Sequence, residues 1–115
     1  MKTIAKINGV AIEEGSGNVY EDLGLPDAND MLVKSGLAFE IQQIIEKQQL
    51  TQQRAAELVG MTQPKLSDLL RGKFRGISQS KMIECLNRLG CDVDIVVSKT
   101  KESSFGRTQV VAVTP

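Results

Sequence analysis

The chain has 115 residues, a formal net charge of zero, and only three Phe and one Tyr as aromatic residues. This length predicts one domain with a core of Leu, Ile, Val, Ala and Met, and the neutral charge argues against a uniformly basic protein that coats DNA. No apolar run approaches the ~20 residues of a membrane helix, and the N-terminus has no apolar secretory segment, so we expect a cytoplasmic protein without membrane contacts.

The chain has no His and only two Cys, Cys85 and Cys91. This set does not complete a tetrahedral metal site, so neither a metal nor another cofactor is expected. A disulfide between the two would require the chain to reverse at Gly90, and disulfides are rare in the cytosol, so we expect reduced thiols.

The first 17 residues predict an N-terminal arm that ends in a linker. Weak strand patterns at residues 3–7 and 10–12 precede a Glu-Glu-Gly-Ser-Gly run that is typical of a flexible link. The arm is interpreted either as a strand that docks or as a tail that orders on binding. Residues 19–23 then predict a short helical turn.

A long helix is predicted from the Leu-Pro-Asp sequence at residues 25–27 to about Gln48. Pro is favoured at the first helical position, and acidic residues in the first turn complement the helix dipole. Gly36 either weakens this helix or lets a neighbour come close. The predicted inward face consists of Leu37, Ile41, Ile44 and Ile45.

Residues 50–73 predict two short helices joined by a tight turn. Thr51 can cap the first helix, Gly60 ends it, and Thr62 caps the second, with Pro64 in its first turn. Leu66, Leu69 and Leu70 recur at helical spacing and form the buried stripe of the second helix. This order is the helix-turn-helix pattern, in which the polar start of the second helix meets base edges in the DNA major groove.

The last predicted helix begins after Ser78 and ends at Gly90. Phe74, in the loop before it, is expected to fill the edge of the core rather than to stack on a base. Residues 92–98 alternate polar and apolar and then become β-branched, which predicts a strand. An unpaired strand edge favours pairing with the same strand of a second copy. The expected dimer contacts are Val93, Ile95 and Val97.

The alternative for this strand is pairing within the chain, to residues 4–7 or 109–113. The predicted fold is therefore mainly α, with about five helices, a helix-turn-helix and a C-terminal β-strand that pairs across a dimer. We expect an arm at residues 1–17, a DNA-binding domain at 18–91, and a dimerisation strand and tail at 92–115.

Charge is distributed unevenly along the chain. Between Met61 and Arg88 there are six basic and two acidic residues, whereas acidic residues outnumber basic ones before Met61. A basic cluster in the helix-turn-helix half supplies attraction to phosphates. The alternative is an ordinary solvated surface.

The run LTQQRAAELVGMTQPKLSDLLRGK at residues 50–73 resembles the DNA-binding core of the XRE (phage-repressor-like, lambda/Cro) family. The shared features are the early Thr-Gln, the Ala-Ala pair, the Gly at the turn, the second Thr-Gln with its Lys-Leu-Ser, and the closing Arg-Gly-Lys. The resemblance is strong over roughly residues 35–90 and weaker over 19–97. It implies a lambda-repressor-like helical bundle and a DNA-binding function.

The flanking segments VYEDLGLPDANDMLVKS and LNRLGCDVDIVVS resemble antitoxins of the HigA type, which are paired with RelE-like toxins. This resemblance, together with the N-terminal arm, favours an antitoxin that neutralises a RelE- or HigB-like toxin and represses its own operon. As a repressor, the homodimer expected from the C-terminal strand would bind a palindromic operator. The alternative is a stand-alone or phage-type regulator of the same family.

Side chains of the second helix of the motif are the candidate base readers. Gln63 is favoured because a Gln amide pairs bidentately with adenine. Asp68 either accepts from a cytosine amino group or buttresses a neighbouring cation, and Pro64 departs from the polar residue often found there in the family. The candidate base readers are Gln63, Pro64, Lys65, Ser67 and Asp68. The candidate contacts to the DNA backbone are Thr51, Gln52, Thr62, Arg71, Lys73 and Arg75, with Gln52 assigned from the family resemblance.

Two other classes of function compete with a DNA-binding repressor. A protein-interaction module that has lost DNA binding is favoured by the neutral charge, Pro64 and Asp68. An enzyme is not expected, because the chain has no His, no glycine-rich phosphate loop, and no Ser or Cys nucleophile beside a base at a recognisable spacing.

Overall fold

The computed structural model describes residues 27–100 and 106–113. Within these ranges the chain forms four helices: α1 Ala28–Lys47, α2 Gln52–Val59, α3 Gln63–Leu70 and α4 Gln79–Arg88. This confirms the mainly helical prediction and the four helices expected in this part of the chain. The predicted arm at residues 1–17 and the predicted helical turn at 19–23 lie outside the described residues. No helix in the described ranges is long and apolar enough to cross a membrane.

Three helices begin at the hydroxyl caps that the sequence predicts. The side-chain oxygen of Thr51 accepts from the backbone N–H of Arg54 at 3.0 Å, and that of Thr62 accepts from the N–H of Lys65 at 3.3 Å. Ser78 accepts in the same way at the start of α4. Each bond satisfies a backbone donor that the first turn of a helix leaves free. Gly60 ends α2 with a φ of +75°, in the left-handed region that glycine adopts without strain.

The turn between α1 and α2 has no glycine. Gln49 adopts a φ of +58° there, and the N–H of Leu50 donates to the carbonyl of Ile45 at 3.0 Å. The neighbouring Gln48 side chain donates to the carbonyl of Leu89 at 2.8 Å, which ties this turn to the end of α4. A left-handed non-glycine residue costs roughly 1–2 kcal/mol, so contacts with the rest of the fold must hold the turn.

The core forms where α1 packs against α4 and α3, and α2 closes it from the side of α3. Phe74 is buried at the edge of the core, as predicted, and each large apolar side chain buried in this way stabilises the fold by about 1.5–3 kcal/mol. Cys85 is buried and Cys91 half-buried, both are free thiols, and burial raises the pKa of each. The largest fully buried side chains are Ile41, Leu66, Leu69, Met82, Val59 and Cys85.

A lysine lies within the apolar stripe of α1 and links α1 to the loop after α3. The ammonium group of Lys34, a buried residue, forms an ion pair with Asp30 at 3.0 Å and donates to the carbonyl of Arg75 at 2.9 Å. Asp30 also accepts from the Gln79 amide at 2.8 Å. The hydrogen bonds from Gln79 and then Lys34 hold the pKa of Asp30 below its usual range. This polar cluster therefore joins three parts of the fold at one point.

The C-terminal segment does not form the predicted strand in the single chain. Residues 91–100 have no strand pairing, and in residues 106–113 only Ala112 forms an isolated bridge. The alternative of pairing between these two segments is therefore wrong, and residues 4–7 lie outside the described part. A strand needs a partner for its N–H and C=O groups, and β-branched residues do not form one alone.

The end of the described chain packs against α1 at its glycine. A Cβ atom added at Gly36 would lie 2.9 Å from the Cβ of Val110, which is closer than real side chains approach. Val110 is itself half-buried against the core. Of the two interpretations of Gly36, the close approach of a neighbour is the one the structure shows.

The substitution Asp30→Asn should remove the contribution of this polar cluster to the pH dependence of the free energy of unfolding. Because the pKa of Asp30 is lowered by folding, its stabilisation is fully present above the ordinary Asp pKa of about 4 and is lost as pH falls through the lowered value. We expect the variant to be less stable than the unchanged protein at pH 7 by less than about 1 kcal/mol, since the carboxylate is partly exposed. The difference should shrink towards pH 3 in urea unfolding followed by circular dichroism. Glu46→Gln, which removes an exposed acid at the other end of α1, is the control, and an equal pH dependence in both variants would contradict the assignment.

Candidate nucleic-acid interface

The buried stripe of α3 determines which of its side chains face solvent. Leu66 and Leu69 are fully buried, so the residues at the start of the helix point away from the core. Gln63, Pro64 and Lys65 are all exposed. This arrangement presents one amide, one apolar ring and one ammonium group on a single helical turn.

The two other candidate base readers lie closer to the core of the protein. Ser67 and Asp68 are half-buried, and the Asp68 carboxylate forms an ion pair with Arg71 at 2.7 Å. Of the roles considered for Asp68, buttressing Arg71 is therefore the one present in the free protein. The pair also keeps Arg71 beside the end of α3, because the two residues are one helical turn apart.

The capping hydroxyls at the starts of α2 and α3 are exposed. Thr51 and Thr62 each use an oxygen lone pair to accept from the helix, which leaves the O–H proton to donate elsewhere. Gln52, in the first turn of α2, is also exposed. A phosphate oxygen is an acceptor that these three side chains can bind.

The loop between α3 and α4 carries the remaining two candidates. Lys73 is exposed, and its backbone N–H donates to the carbonyl of Asp68 at 2.8 Å. The guanidinium of Arg75 forms an ion pair with Asp27, just before α1. Phe74, between them, is buried and fixes the backbone of the loop on the core.

Four of the six cations of the basic cluster form ion pairs within the chain, and they share three carboxylates. Arg71 pairs with Asp68 and Arg75 with Asp27, while Lys81 and Arg88 both approach Glu84, at 3.8 and 3.0 Å. Of the six cations between residues 61 and 88, only two form no ion pair with the part of the chain that the structure describes. These two are Lys65 and Lys73.

Sequence reasoning did not identify two residues that organise this surface, Asp27 and Lys34. The sequence indicates Asp27 only as an acid at the start of α1, and no local pattern points to a partner 48 residues away. Lys34 has a signal, because it stands three residues after Met31 and three before Leu37 on the buried side of α1. A cation in an apolar stripe must have buried partners.

The predicted dimer contacts follow α4. Val93 is half-buried against the core, whereas Ile95 and Val97 are 80% and 91% exposed. Val96 between them is 69% exposed. Exposed apolar side chains in succession are unusual on a monomer surface.

Comparisons with known proteins agree with this geometry. A family model described as a helix-turn-helix domain matches residues 19–98. Six solved chains also match. One, named “Putative XRE Family Transcriptional Regulator”, is 38% identical with a TM-score of 0.71, and the match covers 76% of this chain and 99% of that chain. No curated protein sequence matches.

Proposed function

Because the chain belongs to the XRE-type helix-turn-helix family of DNA-binding regulators, we propose that it is a sequence-specific repressor that binds a palindromic operator as a homodimer. The observation that carries the proposal is the exposed first turn of α3, backed by two fully buried leucines. A helix held in this way fits the major groove and meets base edges with its N-terminal residues. We propose that the protein is not an enzyme, and we expect it to act on DNA in the cytoplasm.

A mobility shift on the DNA upstream of the protein's own gene tests this function directly. A complex that resists unrelated competitor DNA and weakens with salt is expected, because base contacts give specificity and phosphate contacts give salt dependence. Absence of a specific complex, together with tight binding to a protein partner, would favour a protein-interaction module of the same fold.

Gln63→Ala should weaken the specific complex and spare non-specific binding. The exposed amide is the side chain best suited to a bidentate contact with adenine, which is worth about 1–3 kcal/mol of discrimination. Competition titrations with operator and unrelated duplex would measure the two affinities separately. An equal loss on both duplexes would remove Gln63 from the base readers.

Lys73→Ala should lower affinity for all duplexes. Its ammonium group has no ion-pair partner among the described residues, so its full charge is free for a phosphate. The slope of log affinity against log salt should become shallower by about 0.9, the value for one phosphate contact. Lys47→Ala, at the far end of α1, removes the same charge as a control, and an unchanged slope for Lys73→Ala would count against the contact.

For the dimer, we propose that residues 93–97 pair antiparallel with the same residues of a second copy. The exposed β-branched side chains of Ile95, Val96 and Val97 and the unpaired backbone of the segment support this arrangement. Ile95→Glu should convert a dimer to a monomer in sedimentation equilibrium, whereas Thr108→Glu, at another exposed site, should not. A monomeric unchanged protein, or a dimer that survives Ile95→Glu, would contradict the pairing.

We also propose that the repressor is the antitoxin of a type II toxin–antitoxin pair. The resemblance of its flanking segments to HigA-type antitoxins supports this assignment over a stand-alone or phage-type regulator. A neighbouring gene for a small basic RelE-like protein, whose toxicity this chain relieves on co-expression, would be the expected result. A functional operator without such a neighbour would favour the plain regulator.

A further inference from the structure

We propose that the Arg75 guanidinium moves from the Asp27 carboxylate to a DNA phosphate when the protein binds DNA, so that Asp27 limits affinity for a duplex of any sequence. This inference rests on the proposed function, because it requires DNA binding. It assigns a role to Asp27, which lies outside the helix-turn-helix motif, and it makes the free and bound states differ at one side chain.

The backbone at Arg75 is fixed, and its side chain is free to move. Lys34 donates to the carbonyl of Arg75 at 2.9 Å from the buried side of α1. Phe74 and Ile77 on either side are buried in the core. The side chain of Arg75 is nevertheless 58% exposed, so its guanidinium can change partner without movement of the loop.

The ion pair is weak enough to be exchanged. The side chain of Asp27 is 32% exposed, and pairs in contact with solvent contribute little to stability because water and salt screen them. A phosphodiester offers Arg75 the same charge and a bidentate geometry, and its neutralisation releases counterions from the duplex. DNA therefore competes well for this side chain.

The carboxylate that Arg75 leaves behind loses its ion-pair partner, and its Oδ1 is buried with no hydrogen-bond partner among the described residues. Asp27 stands at the N-cap position of α1, where the helix dipole favours a negative charge. The dipole offsets only part of the cost of separating the pair, because no side-chain hydrogen bond joins Asp27 to the first turn of α1. This remaining cost is how Asp27 limits the affinity for DNA. The Asp68–Arg71 ion pair differs from the Asp27–Arg75 pair in that it does not join distant parts of the chain. Both of its residues lie at the end of α3 and move together.

The test measures the affinity of the full chain for its operator and for unrelated duplex, with variants Asp27→Asn, Arg75→Ala and both together. Asp27→Asn should raise affinity by about two- to fivefold on both duplexes, the range expected for loss of a solvent-exposed competing pair. Arg75→Ala should lower affinity on both duplexes and reduce the salt slope by about 0.9. When Arg75→Ala is also present, Asp27→Asn should raise the affinity no more than Glu46→Gln does, a substitution that removes the same charge at a distant site.

Two controls separate the exchange from simpler effects. Glu46→Gln removes the same negative charge from the exposed far end of α1 and measures the long-range effect of charge. Arg75→Lys keeps the cation and should retain most of the salt slope. Urea unfolding of each variant shows whether a change in affinity accompanies a loss of fold.

The exchange is overturned if Arg75→Ala changes neither affinity nor salt slope, because the guanidinium then stays with Asp27 on DNA. It is also overturned if Asp27→Asn raises affinity equally with and without Arg75. If the unchanged protein binds no DNA, the proposed function fails as well, whereas DNA binding that is indifferent to Arg75 overturns only the exchange.

Discussion

The two helices that carry the candidate DNA contacts are eight residues long, and a helix of that length is not stable alone in water. They persist because Val59 of α2 and Leu66 and Leu69 of α3 are fully buried in the core that these helices share with α1 and α4. The hydroxyl caps contribute about 1 kcal/mol each, which is small beside the burial of these side chains. The orientation of the exposed turn of α3 is thus a property of the core, and a change in the core would alter DNA recognition without touching the surface.

Electrostatic pairing within the chain reduces the attraction that the basic cluster exerts on DNA. Ion pairs with Asp27, Asp68 and Glu84 engage four of the six cations of the cluster. A protein with zero net charge and mostly paired cations can still bind DNA if a few unpaired or exchangeable cations lie beside the recognition helix. Such a protein would gain less from non-specific phosphate attraction, so base contacts would account for a larger share of its discrimination between sites.

The parts of the fold that follow from local chemistry were predictable from the sequence. Thr62, Pro64 and the leucine spacing define α3, and Gly60 marks the end of α2, because capping and helical periodicity act over a few residues. The turn at Gln49 was not predictable, since its φ of +58° depends on the contact of its neighbour with α4.

The contacts that organise the site are long-range or need a second molecule. The partners Asp27 and Arg75 are 48 residues apart, and only the packing of α1 beside the loop brings them together. At residues 92–98 the alternation of polar and apolar residues predicts a strand. A strand forms only when a second strand is present to pair with it, so this prediction depends on a partner that the local sequence does not supply. The roles assigned to Gln63 and to the other DNA contacts remain predictions, although α3 does present Gln63 to solvent.

The contact between Gly36 and Val110 makes one position of α1 informative about a distant segment. Glycine costs a helix about 1 kcal/mol relative to alanine, yet a single methyl group at this position would meet the Val110 side chain. In a relative of this protein, a larger residue at the equivalent of Gly36 would force the C-terminal segment onto another path. That residue is therefore a sequence marker that sorts relatives by the course of their C-terminal chain before any further structure is determined.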